Sequence, residues 1–204
     1  MSGSNTGRLI KARPAQLAAT AFIGSVVVQI VWRVGIAPAI LGNIDPSSDM
    51  PPRDRATLAL GLLCGAVIMA IGLAFLSRAL SGTISYNLSQ WAVGSGTLGV
   101  GLLATNIAML FAKSHFLGLF YVFAVLTTAS WILACISCYR ARVLKWSAVA
   151  TGILAGICGA SIVSGAFIVF VMSLSLLPLA VGLLVRTRRS VNPVPAAGVR
   201  PDVA

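Results

Sequence analysis

The sequence predicts an all-α fold, a polytopic transmembrane helical bundle of six spans with both termini cytoplasmic. Three observations predict it. Apolar residues make up 58% of the 204 and come in long uninterrupted blocks, while charged residues make up only 9%, against roughly 25% in an ordinary soluble domain. The cations fall between the apolar blocks, and the polar residues within the blocks are neutral. Water is therefore not the main solvent of these side chains.

A hydrocarbon core about 30 Å thick needs roughly 20 residues of helix. Four blocks meet that length directly, near 16–33, 56–76, 88–112 and 116–138. The apolar stretch from Trp146 to Val185 is too long for one crossing, and a turn near Ser164 and Gly165 divides it into spans near 146–164 and 166–185. Five spans with one long tilted or re-entrant segment is the alternative, because no polar loop marks that turn.

The first apolar run follows Arg8, Lys11 and Arg13, as in a signal peptide. It continues from Leu17 past Trp32 with no small-residue cleavage site, so we read residues 1–15 as a basic cytoplasmic segment and the run as a retained helix. The transmembrane domain then covers 16–186. The tail, 187–204, holds Pro193, Pro195 and Pro201, lacks periodicity and is expected to be disordered.

The net charge of +11 would suggest nucleic acid in a soluble protein. Here the Lys and Arg residues sit in alternate loops. With the N-terminus inside, the cytoplasmic segments hold ten, including Arg78, Arg140, Arg142, Lys145, Arg186, Arg188 and Arg189, and the outer ones hold four, Arg33, Arg53, Arg55 and Lys113. Cytoplasmic loops of membrane proteins collect such residues, so no nucleic-acid partner is expected.

The outer connection from Val34 to Arg55 contains Pro38, Pro46, Pro51 and Pro52 with Asp45, Asp49 and Asp54. Its first part, Gly35 to Leu41, is apolar enough to lie in the interface or extend the first helix. The chain has no glutamate and no aspartate inside an apolar block. Proton relays, magnesium-dependent prenyl-diphosphate chemistry and acid-initiated cyclisation need a carboxylate at depth, so these classes are disfavoured. Any acid that acts would be Asp45, Asp49 or Asp54, although three loop aspartates are more often turn formers and solvated groups.

Cys135-Ile-Ser-Cys138 has the spacing of thiol redox pairs, and a helix puts both sulfurs on one face. Cys64 and Cys158 stand in other helices with no evident pairing to complete an electron path, and the plainer reading of all four is small apolar packing. A metal site is not expected from one histidine, His115, in an external turn beside Lys113.

Neutral polar residues do enter the spans: Gln29, Thr105, Asn106, Thr127, Thr128, Ser130, Ser161, Ser164, Ser173 and Ser175. Such groups bond between helices or back to carbonyls; a small-molecule pocket could instead use Gln29, Arg33 and Asn106. Arg33 can hold its charge at the interface by snorkelling. Pro178 is expected to kink the last helix. Gly61 and Gly65, Gly152 and Gly156, and the series Gly94, Gly96, Gly99 and Gly101 offer close helix approach within the chain or between copies.

The join Cys138-Tyr139-Arg140-Ala141-Arg142-Val143-Leu144-Lys145-Trp146, the following Thr151-Gly152-Ile153-Leu154, and the entry Ser85-Tyr86-Asn87 to the third helix resemble a widespread family of bacterial membrane proteins known only as a domain of unknown function. That family often has proline before the aromatic residue of the join, where this chain has Lys145. The resemblance implies a six-helix architecture and no site.

Together these features lead us to expect an accessory, partner-binding or small-ligand-binding bundle in a bacterial cytoplasmic membrane, without cofactor or metal. Its partners would be the lipid bilayer and another membrane protein or further copies of itself. A small transporter or channel component, and a membrane enzyme acting on a lipid or isoprenoid, are the alternatives.

Overall fold

The computed structural model describes residues 11–41, 51–112, 117–160 and 174–191, and the regular structure in them is helical. The helices are α1 (Ala12–Val31), running through a π-helical turn (Trp32–Ile36) into α2 (Ala37–Leu41), then α3 (Pro52–Ala79), α4 (Tyr86–Phe111), α5 (Leu117–Arg140), α6 (Trp146–Ala160) and α7 (Leu177–Val191). Four helices are long and apolar enough to cross a membrane: Ala12–Ile40, Pro52–Ala79, Tyr86–Phe111 and Gly118–Arg140. The apolar part of α6, Trp146–Ile157, is shorter. The turn expected near residues 164–165 lies outside the described residues, as do Asp45, Asp49, His115, Ser161, Ser164, Ser173 and residues 192–204.

Local chemistry explains several boundaries. The segment Gly35 to Leu41 extends the first helix. Pro38 lacks an N–H and its ring crowds the carbonyl four residues back; just before it, the Ala37 N–H bonds to Trp32 O, five residues away, in the wider π spacing. Pro52 starts α3 where a missing N–H costs nothing, and Asp54 places a negative charge in that first turn, near the positive end of the helix dipole. Pro178, expected to kink the last helix, falls where α7 begins, and residues 161–173 before it lie outside the described residues. The proline stands in the first turn of α7, where no hydrogen bond is lost. The same helix carries on to Val191, taking in Thr187 and Arg188 beyond the boundary drawn at 186.

Lipid tails are as apolar as leucine, so helices associate through close packing and hydrogen bonds. The seam between α1 and α3 shows how. Phe22, Ser25, Gln29 and Trp32 recur at helical spacing on α1, and opposite them α3 presents Gly72, Gly65 and Gly61. A Cβ on Gly61 would collide with the Trp32 ring, one on Gly65 with the Gln29 side chain, and one on Gly72 would come 2.7 Å from Phe22 Cε1. Ser25 Oγ donates to Gly65 O at 2.7 Å. The two helices run antiparallel, since residues early in α1 meet residues late in α3.

The remaining seams repeat this arrangement. Between α3 and α4, Ser89 Oγ donates to Ser77 Oγ at 3.1 Å and Gln90 Nε2 donates to the same oxygen at 2.6 Å. Gly96 and Gly99 of α4 face Ser130 and Thr127 of α5, Gly152 of α6 faces Cys135 of α5, and Gly182 of α7 faces Ser147 of α6. Trp131 Nε1 of α5 donates to Met69 Sδ of α3. Consecutive long helices are thus neighbours, and α7 returns to α1, closing a ring. Ala15, Ala18, Ala19 and Phe22 share one core with Leu176, Leu179, Ala180 and Leu183. A second core, with Ala56, Ala66, Leu103, Ile107 and Phe123, lies toward the other end between α3, α4 and α5.

Toward its start, α1 turns alanines inward and larger aliphatic residues outward. Ala15, Ala18 and Ala19 are buried while Leu17, Val27 and Val31 are exposed, the reverse of a water-soluble helix.

Gly61→Ala and Gly65→Ala should each lower stability by about 1–3 kcal/mol, the range for overpacking a filled interface. Gly94→Ala and Gly101→Ala, where an added Cβ meets nothing within 4 Å, should be neutral or gain up to about 1 kcal/mol from helix propensity. Thermal unfolding of the four detergent-solubilised variants separates the two pairs.

Candidate functional site

The residues singled out from sequence fall into separate places. Gln29 and Trp32 lie in the glycine groove of α3, and Arg33 follows them as an exposed side chain in the π-helical turn. Asn106 is buried in α4. Because α1 packs on α3 and α7, and α4 packs on α5 and α3, rather than on each other, Gln29 and Asn106 belong to different seams, and the structure does not assemble Gln29, Arg33 and Asn106 into one pocket. Gln29 is placed to key α1 into α3.

The hydroxyls of the spans mostly satisfy their own helices. Thr105 Oγ1 donates to Gly101 O at 3.0 Å, Thr128 Oγ1 to Ala124 O at 2.8 Å, and Ser130 Oγ to Thr127 O at 2.7 Å. Among the described residues, four buried side-chain polar atoms lack a hydrogen-bond partner: Trp32 Nε1, Ser85 Oγ, Thr127 Oγ1 and Thr151 Oγ1. They stand on four different elements and do not converge. Asp54 remains in the first turn of α3, and among the described residues no group of three or more His, Cys, Asp or Glu could hold a metal ion.

Cys135 and Cys138 are both buried and both free thiols. Cys138 is 0% exposed and belongs to the main core with Val143 and Ala148. The two cysteines share a face, as the spacing implied. That face is the one packed on α6 and the join, so neither sulfur is presented to a redox partner.

What the sequence did not announce is the geometry of the α5–α6 join. Helix α5 ends in a Schellman turn: the Val143 N–H bonds to Cys138 O at 3.0 Å, and the Arg142 N–H bonds to Tyr139 O at 2.9 Å. The position that closes such a turn needs a left-handed backbone, and here Arg142 supplies it with φ of 54°. Glycine is the usual occupant, so the pattern that would have revealed the turn is missing. From α7, the Arg186 guanidinium donates to Arg142 O at 3.3 Å and to Val143 O. It thereby satisfies carbonyls of the connecting turn just beyond the end of α5.

This join lies at the end of the bundle where α1 and α4 begin and α3, α5 and α7 finish. Lys11, Arg13, Arg78, Arg140, Arg142, Lys145, Arg186 and Arg188 are all there and largely exposed. The opposite end of the described helices carries Arg33, Arg53 and Arg55 with Asp54. Exposed Tyr86, Trp91, Tyr139 and Trp146 surround the first end, the placement amphipathic rings adopt at a membrane–water boundary. The basic rim, with the join at its best-defined point, is the most distinctive surface of the molecule.

Arg142→Gly should raise stability by about 1 kcal/mol, because it removes a left-handed non-glycine residue, while Arg186→Met should lower it by about 1–2 kcal/mol by stripping the carbonyls of a charged donor; unfolding midpoints in one detergent measure both. Peptide-mapped alkylation of the detergent-solubilised protein with an apolar maleimide should reach Cys64, which faces outward in the middle of α3, before Cys135 and Cys138, which stay packed until the bundle unfolds.

Comparison with protein-family models, with curated proteins and with solved structures finds no match to this chain.

Proposed function

We propose that this chain is a six-span protein of a bacterial cytoplasmic membrane, with both termini cytoplasmic, acting as a non-enzymatic accessory or partner-binding bundle. The observation that carries the reading is the distribution of polarity. Every buried polar side chain among the described residues is a hydroxyl or an amide, namely Ser25, Ser77, Ser85, Ser89, Asn106, Thr127, Ser130, Ser137, Thr151, Ser175 and Thr187. Ion or proton coupling and most membrane catalysis place an ionisable group at depth. A neutral interior suits a bundle whose helices bond to one another and whose specific contacts lie at its ends or on its lipid-facing sides.

The antiparallel order supports the orientation. With consecutive helices reversing direction, the basic ends of α1, α3, α5 and α7 meet on one rim, which is the cytoplasmic rim by the positive-inside rule. Helices α6 and α7 belong to the fifth and sixth crossings in this reading.

Reporter fusions test the topology: one after Arg55 should report the outer side, and one after Lys145 the cytoplasm. A cytoplasmic signal after Arg55 would overturn the arrangement. Proteoliposomes holding this chain alone should show no substrate-dependent flux; measurable flux would replace the accessory role with transport.

A further inference from the structure

We infer that the basic rim, centred on the α5–α6 join, is a binding surface for the headgroups of anionic phospholipids. The rim carries eight described cations from five parts of the chain, and the described helix ends beside them bring no carboxylate. Asp54 stands at the far end of α3. The counter-charge must therefore come from outside the helical bundle. A bilayer leaflet rich in acidic lipid supplies it over a ring of this kind, and each Lys or Arg held near such a surface contributes about 1 kcal/mol.

The join is the point on the rim best built for a headgroup. Its backbone is fixed by the Schellman turn and by Arg186, which uses its guanidinium on the Arg142 and Val143 carbonyls. That clamp holds the end of α7 that carries Arg186 against the turn that carries Arg142, in the same join as Arg140 and Lys145. Tyr139 is 54% and Trp146 85% exposed on either side of these cations. Rings at the two edges of the cationic turn set it at headgroup depth, where phosphate oxygens lie and acyl chains can continue down the apolar faces of α5 and α6. Soluble phosphate would use the cations alone and leave both rings without a role, so the lipid is the occupant that accounts for both.

The inference rests on the membrane placement proposed above, but the measurement does not depend on sidedness. Detergent-solubilised protein is mixed with phosphatidylglycerol or phosphatidylcholine, and lipid retention is read by native mass spectrometry alongside thermal stability. Phosphatidylglycerol should be retained and should stabilise, and phosphatidylcholine should do neither. Arg140→Gln with Lys145→Gln should weaken retention about fivefold for each cation removed, while Arg53→Gln with Arg55→Gln, at the other end, should leave it unchanged. Raising salt should release the lipid from the unaltered chain, a readout that needs no variant to fold. Equal retention of both lipids, equal loss in both variant pairs, or equal stabilisation by glycerol phosphate would overturn the inference. Reporter fusions on the wrong side together with selective retention would overturn only the topology.

Discussion

Close contact between α1 and α3 is the constraint on which the bundle most depends. In hydrocarbon, neither helix gains much by leaving lipid for its neighbour. What holds them is the fit of Phe22, Gln29 and Trp32 into spaces left by Gly72, Gly65 and Gly61, together with the Ser25 bond to the Gly65 carbonyl. Both other neighbours of this pair depend on it. Helix α4 docks on α3 through Ser77, Ser89 and Gln90, and α7 docks on the alanine face of α1. A shift along this seam would move the core at the basic end and the rim with it.

The spans were legible because hydrocarbon imposes a minimum length on uninterrupted apolar sequence, and α3, α4 and α5 exceed it plainly. Helical pattern alone does not say which helices are neighbours. Gln29 and Asn106 are both polar residues within spans, and only the packing order shows that they serve different seams. Gly61 and Gly65 were recognisable as a close-approach motif, while the side chains that occupy them were not. The effect of a proline depends on its distance from a helix end, and Pro178 falls where α7 begins. The Schellman turn was invisible since Arg142 stands where glycine normally marks one.

Among the described residues, the buried polar side chains are hydroxyls and an amide, groups suited to hydrogen bonding. Thr105, Thr128 and Ser130 return their protons to carbonyls of their own helices, which leaves few groups aimed across the bundle. The thiols of Cys135 and Cys138 are packed like small aliphatic groups against α6 and the join. Most of the described cations, together with Tyr86, Trp91, Tyr139, Trp146 and the clamped turn, collect at one end, and that end is where the described residues offer most for recognition at an interface.

The π-helical turn near the end of the first helix alters which side chains come after it. Up to Trp32, the inward positions advance by three or four residues, through Phe22, Ser25 and Gln29. The next inward residue is Ala37, five further on and 1% exposed, whereas Ile36 is turned out at 39%. One surplus residue in the coil has rotated a methyl group into the place an isoleucine would otherwise take beside α3. The widened turn thus works as a phase corrector: it keeps the last two turns of a 29-residue helix close to their neighbour where an unbroken α-helical repeat would have wedged them apart.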